Sequence, residues 1–370
     1  MARPFRRVAR SIVAVGAIVL PALAGVPVPV RAQGTIDGYV ALKGMAQGAI
    51  KGASTAAAYR DEITATSLTT SQPYGAAMPV LHVVTEASVA PQIMRALETN
   101  EVLVTPTVSF VKRGASGALQ QVYQIRASRG YVTSATISAD VNHVPTIAFD
   151  LLLSGTVAST NETGAATTAP PPIVAGNVPA VHGIVLAGEF TGQTMGDFTG
   201  SPNAPNHKGI LLDSVAIAAF TQVSNGMAAG KVAARPLVVT RPANEDATEF
   251  DAASTSAQQF SQIVLHVYAP QLNGQLAEVL QLKTLGACLA ESGRCGGSSS
   301  GVGSAKMGAG TGLPASGSRT ARLATEPLIG VRRVASDATA ATQFILATLT
   351  VENPVTHTMV THSFATNTTN

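Results

Sequence analysis

Apolar and polar residues alternate in short runs along most of this chain, the period expected of strands covered on one face. Between Pro79 and Lys112 the period changes and then changes back. Pro79–Thr85 is β-branched and apolar, and Thr107–Lys112 alternates, so both are predicted strands. The stretch between them predicts one short helix. Pro91 suits a first turn, where its missing N–H costs nothing; Ile93, Met94 and Leu97 share one side; and Asn100 can take the left-handed closing position. Such a helix has one apolar face, which can cover a sheet or close the end of a barrel.

Other strands follow the same pattern at short spacing. They are predicted at Asp37–Gly44, from Tyr59 toward Leu68, and at Gln121–Arg126, Tyr131–Ser138 and Pro145–Leu153. Many short strands with one helix mean a barrel or sandwich. Residues 154–180 turn to Thr, Ala, Gly and Pro, including Pro170-Pro171-Pro172, and read as a stiffened linker. Beyond it the plan returns. Gly183–Gly188 matches the strand ending at Gly44, His207–Leu212 the strand opened by Tyr59, and Arg235–Thr240 the strand at Met78–Val83. The offset drifts from 147 between Ile63 and Ile210 to 157 between Pro79 and Pro236, as loop insertions in a duplicated domain would produce. Thr248–Phe260 then takes the place of the helix, followed by strands at Gln262–Tyr268, Leu276–Leu285 and Ala341–Val351. The fold expected is mainly β: two tandem β-barrels at 33–153 and 181–356, each with one short flanking helix. The second carries an insertion at 292–325 that is Gly- and Ser-rich from Ser292 to Ser318, and 357–370 reads as a loose polar tail.

Charge alters this picture only at the N-terminus. Arg3, Arg6, Arg7 and Arg10 precede an apolar run from Ile12 to Leu20, and Val30-Arg31-Ala32 offers small residues for a signal peptidase, so residues 1–32 are expected to be an export signal. Cleavage after Ala32 removes five Arg, and the 19 remaining Lys and Arg against 21 acids leave −2 in place of +3. Nucleic acid thereby loses its electrostatic argument as a partner, and membrane contact is expected only in transit through the leader. In an exported chain the only two cysteines, Cys288 and Cys295, are the candidate disulfide; their spacing without other thiols or a nearby His is a poor zinc pattern.

The remaining motifs carry little chemistry. Gly297-Ser298-Ser299-Ser300-Gly301 has the letters of a hydrolase nucleophile elbow, but its flanks are Gly and Ser where a strand and a helix are required. His357 and His362 have no acid or Cys nearby in sequence and read as solvated. Asp61 with Glu62, and Glu245 with Asp246, read as solvated edges or loops, with nothing apolar to raise either pKa. Tyr39, Tyr59, Phe110 and Tyr123 sit in strand patterns and read as core. No catalytic, cofactor-binding or metal-ligating residue is assigned.

The order of these segments resembles the haemolysin-coregulated proteins, the Hcp family of type VI secretion tubes. A leading strand and glycine-rich stretch occur at Leu42-Lys43-Gly44 with Ile50–Ser54, and again at Leu186–Gly192. A charged step into an Ile strand occurs at Arg60-Asp61-Glu62-Ile63 and at His207-Lys208-Gly209-Ile210. Pro236–Arg241, and the helix ending Ala96–Glu101 before a Val-rich strand, complete the match. The resemblance implies a small barrel with one flanking helix, no catalytic residues, and six-membered rings that stack as a tube. A tandem chain would then need three copies to place six barrels around a ring. The partner is accordingly expected to be the chain itself or another exported protein, in the periplasm, at the cell surface or outside the cell. The alternative is an exported binding module with the fold and no ring.

Overall fold

The computed structural model describes residues 36–70, 79–114, 117–161, 181–224, 227–228, 230–242, 247–290, 339–364 and 368–369. The first strand shows how local sequence sets the architecture. β1 (Ile36–Gly44) buries Tyr39, Val40 and Leu42, and ends where a Cβ on Gly44 would meet the carboxylate of Glu101. Gly48, at a φ of +80° that glycine adopts without strain, turns the chain back into β2 (Gly48–Ile50). β3 (Ile63–Ala65) and β4 (Ser67–Thr70) are joined through Thr66, whose N–H bonds to the Val84 carbonyl. β5 (Val80–Glu86) leads through a short 3-10 turn into α1 (Ala90–Glu98), with Pro91 in its first turn as predicted and Asn100 left-handed at a φ of 49°. The order continues with β6 (Leu103–Val104), β7 (Thr107–Arg113), β8 (Leu119–Asp140) and β9 (His143–Asn161). All the pairings are antiparallel and return to their start: β1 to β3, β4 to β5, then β9, β8, β7 and β1 again.

A second set of strands pairs in the same order. It comprises β10 (Val185–Gly192), β11 (Gly196–Asp197), β12 (Ile210–Leu212) and β13 (Ser214–Phe220), with a separate two-stranded ribbon of β14 (Val223–Ser224) and β15 (Met227–Ala228). β16 (Ala233–Ala234) and β17 (Leu237–Pro242) precede α2 (Ala247–Thr255). β18 (Gln259–Pro270), β19 (Leu276–Leu289), β20 (Thr339–Ile345), β21 (Thr348–Asn353), β22 (Thr358–Ser363) and β23 (Thr368–Thr369) follow. Here β10 pairs with β12, β13 with β17, then β20, β19, β18 and β10 again. Asp213 occupies the joint that Thr66 occupies in the first set, its N–H bonding to Thr240. The Gly192–Gly196 hairpin repeats Gly44–Gly48, with Gly196 at a φ of +78°. The fold is mainly β. Its cores differ in content: Val, Leu and Ile dominate the first set, whereas Phe190, Phe198, Phe250, Phe260 and Phe344 contact one another in the second.

Several expectations need correction. The two strands expected at Gln121–Arg126 and Tyr131–Ser138 are one strand, β8, because Ser128–Gly130 makes an irregularity in the ladder, opposite Gly155, and not a turn. β9 runs on to Asn161, into the segment read as linker; residues 162–180 lie outside the described residues. α2 stops at Thr255 because Ala257 turns left-handed and β18 has begun by Gln259. Tyr59 lies in a 3-10 turn, stacking on Tyr39 at 4.4 Å, while Tyr39, Phe110 and Tyr123 are buried. Residues 358–363, expected to be loose tail, form β22 in register with β21. The expected leader at 1–32 and insertion at 292–325 lie outside the described residues.

Candidate functional site

The first candidate is the join between the two sets of strands. β8 is long enough that only its first part pairs with β7, while Ser134–Asp140 continues beyond it. β13 adds to that free edge in antiparallel register, from Ser214 opposite Asp140 to Phe220 opposite Ser134. Both partners alternate as one-face-buried strands should: Ala135, Ile137 and Ala139 on β8, and Val215, Ile217 and Ala219 on β13, are buried. Backbone bonds continue the ladder past both ends, from Thr221 to Thr133 at 3.0 Å and from Val141 to Asp213 at 3.2 Å. Around it, the Thr221 hydroxyl donates to Asn100 Oδ1 at 3.1 Å, and Asn100 Nδ2 donates to the Gly230 carbonyl at 3.3 Å.

A second contact lies on the outer side of α1. The helix packs against β21 and β22 as well as β8, so seven of its nine residues are buried. Asn353 Nδ2 donates to the Ser88 carbonyl at 3.0 Å. Glu98 of α1 and His362 of β22 are both fully buried, with Oε2 and Nδ1 3.9 Å apart. Burial pushes the Glu98 carboxyl up to about 8. His362, read as solvated from its sequence neighbours, is in fact inside the molecule.

Two polar clusters lie elsewhere on the strands. His82 Nδ1 is 2.9 Å from Asp150 Oδ1, and Ser134 donates to Asp150 Oδ2 at 2.6 Å. Burial pushes the Asp150 carboxyl up, but hydrogen bonds from His82 and Ser134 and the charge of His82 outweigh it and hold the group below its usual range. The carboxylate sits between hydroxyl and imidazole, so this order does not pass a serine proton to a histidine base. The second cluster centres on His266. Its Nδ1 is 2.7 Å from Glu278 Oε1 and its Nε2 3.7 Å from Glu189 Oε1, which also accepts from Asn206 at 2.7 Å. The acids flank opposite edges of the ring and do not converge on one point. Among the described residues no group of three His, Cys, Asp or Glu could hold a metal ion.

Of the residues singled out in the sequence, Cys288 is buried near the end of β19, opposite Gln259 and Ile345. Cys295, Ser299, Glu245 and Asp246 lie outside the described residues. Asp61 is exposed at a φ of 62°, but partial burial pushes the Glu62 carboxyl up, against the expectation that nothing near it would do so. No helix among the described residues is long and apolar enough to cross a membrane. Neither the β8–β13 join nor the Glu98–His362 contact was foreseen. The signal for the second is present in the sequence: α1 carries Met94, Leu97 and Glu98 where α2, 157 residues on, carries Asp251, Ser254 and Thr255.

No family model and no curated protein matches the chain. Among solved structures, it is similar to a crystal structure of an Hcp protein at 12% identity and a TM-score of 0.34, over 49% of this chain and 98% of that one. It is similar to Hcp1 from Salmonella typhimurium at 15% identity and 0.29, over 50% and 99%. The secreted protein Hcp3 from Pseudomonas aeruginosa matches at 15% and 0.28, over 36% and 96%.

Proposed function

We propose that this chain is an exported, non-enzymatic structural protein of Hcp type, built from two copies of one barrel domain, which self-assembles into rings or tubes. The observation that carries this reading is the β8–β13 join. It is heterologous: an extended arm of one copy meets the strand edge of the other. A contact of that kind leaves each chain with unlike surfaces at its two ends, and such contacts close into rings when their rotation allows. The corresponding edge of the first copy is β4, which among the described residues pairs on one side only, with β5. Backbone ladders supply strength at such edges, and alternate side chains fix register.

Three chains then supply six barrels to a ring. The partner is the chain itself; no cofactor takes part, and contact with the membrane is confined to export through residues 1–32. Cys288 and Cys295 form a disulfide after export. The test is size-exclusion chromatography with light scattering on the exported chain. A discrete trimer or a stack of trimers is expected. A monomer at every concentration would overturn assembly and leave the single-copy binding module.

A further inference from the structure

The Glu98–His362 contact has a feature that packing alone does not require. Both side chains are fully buried, they come from segments 264 residues apart, and the contact lies where the C-terminal hairpin closes over α1. Leu349 stands directly opposite His362 in the ladder, and the Phe364 ring meets the imidazole edge-on at 4.8 Å. An ionisable acid in such surroundings is tolerated when it is neutral or paired and is costly when charged alone. Among the described residues, neither Glu98 oxygen has a hydrogen-bond partner, and His362 is the one basic group within 4.0 Å of it.

The other ionisable groups on the surrounding elements are otherwise placed. On α1 itself Arg95 is exposed. Beyond its end, Glu101 Oε1 accepts from the Ala46 and Gln47 N–H groups at 2.6 and 2.8 Å. On β8 Arg126 and Arg129 are exposed, Asp140 binds His143 at 2.9 Å, and Tyr123 and Tyr131 are buried. On β21 Glu352 falls between the buried Val351 and Asn353, and the 3-10 turn before α1 follows the exposed Glu86. Besides His362, β22 carries no ionisable side chain, and β23 carries none.

We propose that Glu98 and His362 form a protonation-controlled latch between α1 and the β21–β22 hairpin, closed while the pair holds a proton and loosened when that proton is lost. Deprotonation leaves a carboxylate buried with a neutral imidazole, and opening the hairpin hydrates it. The sign follows from the raised pKa of the closed state: the closed pair keeps one proton up to about 8, whereas the opened pair keeps it, on the freed imidazole, only below the ordinary imidazole range, so stability is lost as pH rises between the two. Up to one proton is released on opening within that window, so the opening ratio grows about tenfold in all from pH 6 to 8 and then levels.

Hydrogen–deuterium exchange of the full chain at pH 6, 7, 8 and 9, corrected for intrinsic exchange, tests this. Peptides covering 348–363 and 90–98 are expected to open about tenfold more at pH 8 than at pH 6 and to level by pH 9, while 259–270 stays flat. Glu98→Gln and the volume-conserving Glu98→Met should both remove the slope. Wild-type exchange independent of pH, an equal slope in either variant, or an equal slope in 259–270 would overturn the latch.

Discussion

The two helices of this protein are alike from within and unlike from without. Each spans nine residues and follows the corresponding strand. Each closes in the same way: Asn100 and Ala257 turn left-handed, and the N–H groups of Glu101 and Gln258 reach back to Ala96 and Ala253 at 2.9 and 2.8 Å. Their inner faces correspond, with Ile93 and Phe250, and Ala96 and Ala253, buried in both. Even their tethers correspond: Gln92 accepts from the Lys51 N–H at 3.1 Å, and Glu249 from the Thr199 N–H at 3.0 Å. The outer faces part company. Met94, Leu97 and Glu98 are buried on a helix that packs against the β21–β22 hairpin, whereas Asp251, Ser254 and Thr255 are exposed. The inner face follows what a closed sheet needs from its helix, and the outer face follows what each helix meets in the assembled chain.

Exchanging the outer residues of α1 has the largest effect. Met94→Asp places a carboxylate at a fully buried position of α1 and should cost on the order of 4 kcal/mol in denaturant unfolding, as for other unpaired buried charges. A variant within experimental error of wild type would show that α1 is not covered. Truncating the shared inner face should hurt both helices, with Ile93→Ala costing about 3 kcal/mol and Phe250→Ala about 4 kcal/mol. Phe250 also holds Arg241 over its ring at 4.4 Å, so its loss should exceed that of Ile93. The hairpin supports sharpen the contrast. Glu101→Ala strands two N–H groups bonded to a carboxylate and should cost about 2 kcal/mol, whereas Gln258→Ala, which releases the Thr194 hydroxyl, should cost about 1 kcal/mol. The smallest effect belongs to the reciprocal exchange. Asp251→Met should shift stability by no more than about 0.5 kcal/mol, measured in the same way.

Much of the fold is legible in the residues. Period-two alternation marks the strands, Pro91 and Asn100 bound α1, and Pro79 and Pro236 mark corresponding positions. The misreadings have physical reasons. Ser128-Arg129-Gly130 has turn composition but lies within a ladder whose partner strand absorbs the irregularity, so β8 continues through it. The polar run His357–Ser363 looks like a tail because its buried residues are few: Val360 and His362 face the interior, and the second of these is ionisable. The β8–β13 join is a long-range strand pairing, and neither edge carries a local mark of its partner. What the residues do record is the outcome, in the change from Met94, Leu97 and Glu98 to Asp251, Ser254 and Thr255.

If the join within the chain is repeated between chains, electron microscopy of the purified protein will show it. Class averages should show closed rings of six lobes, each formed from three copies, alone or stacked. Isolated two-lobed particles at every concentration would contradict it.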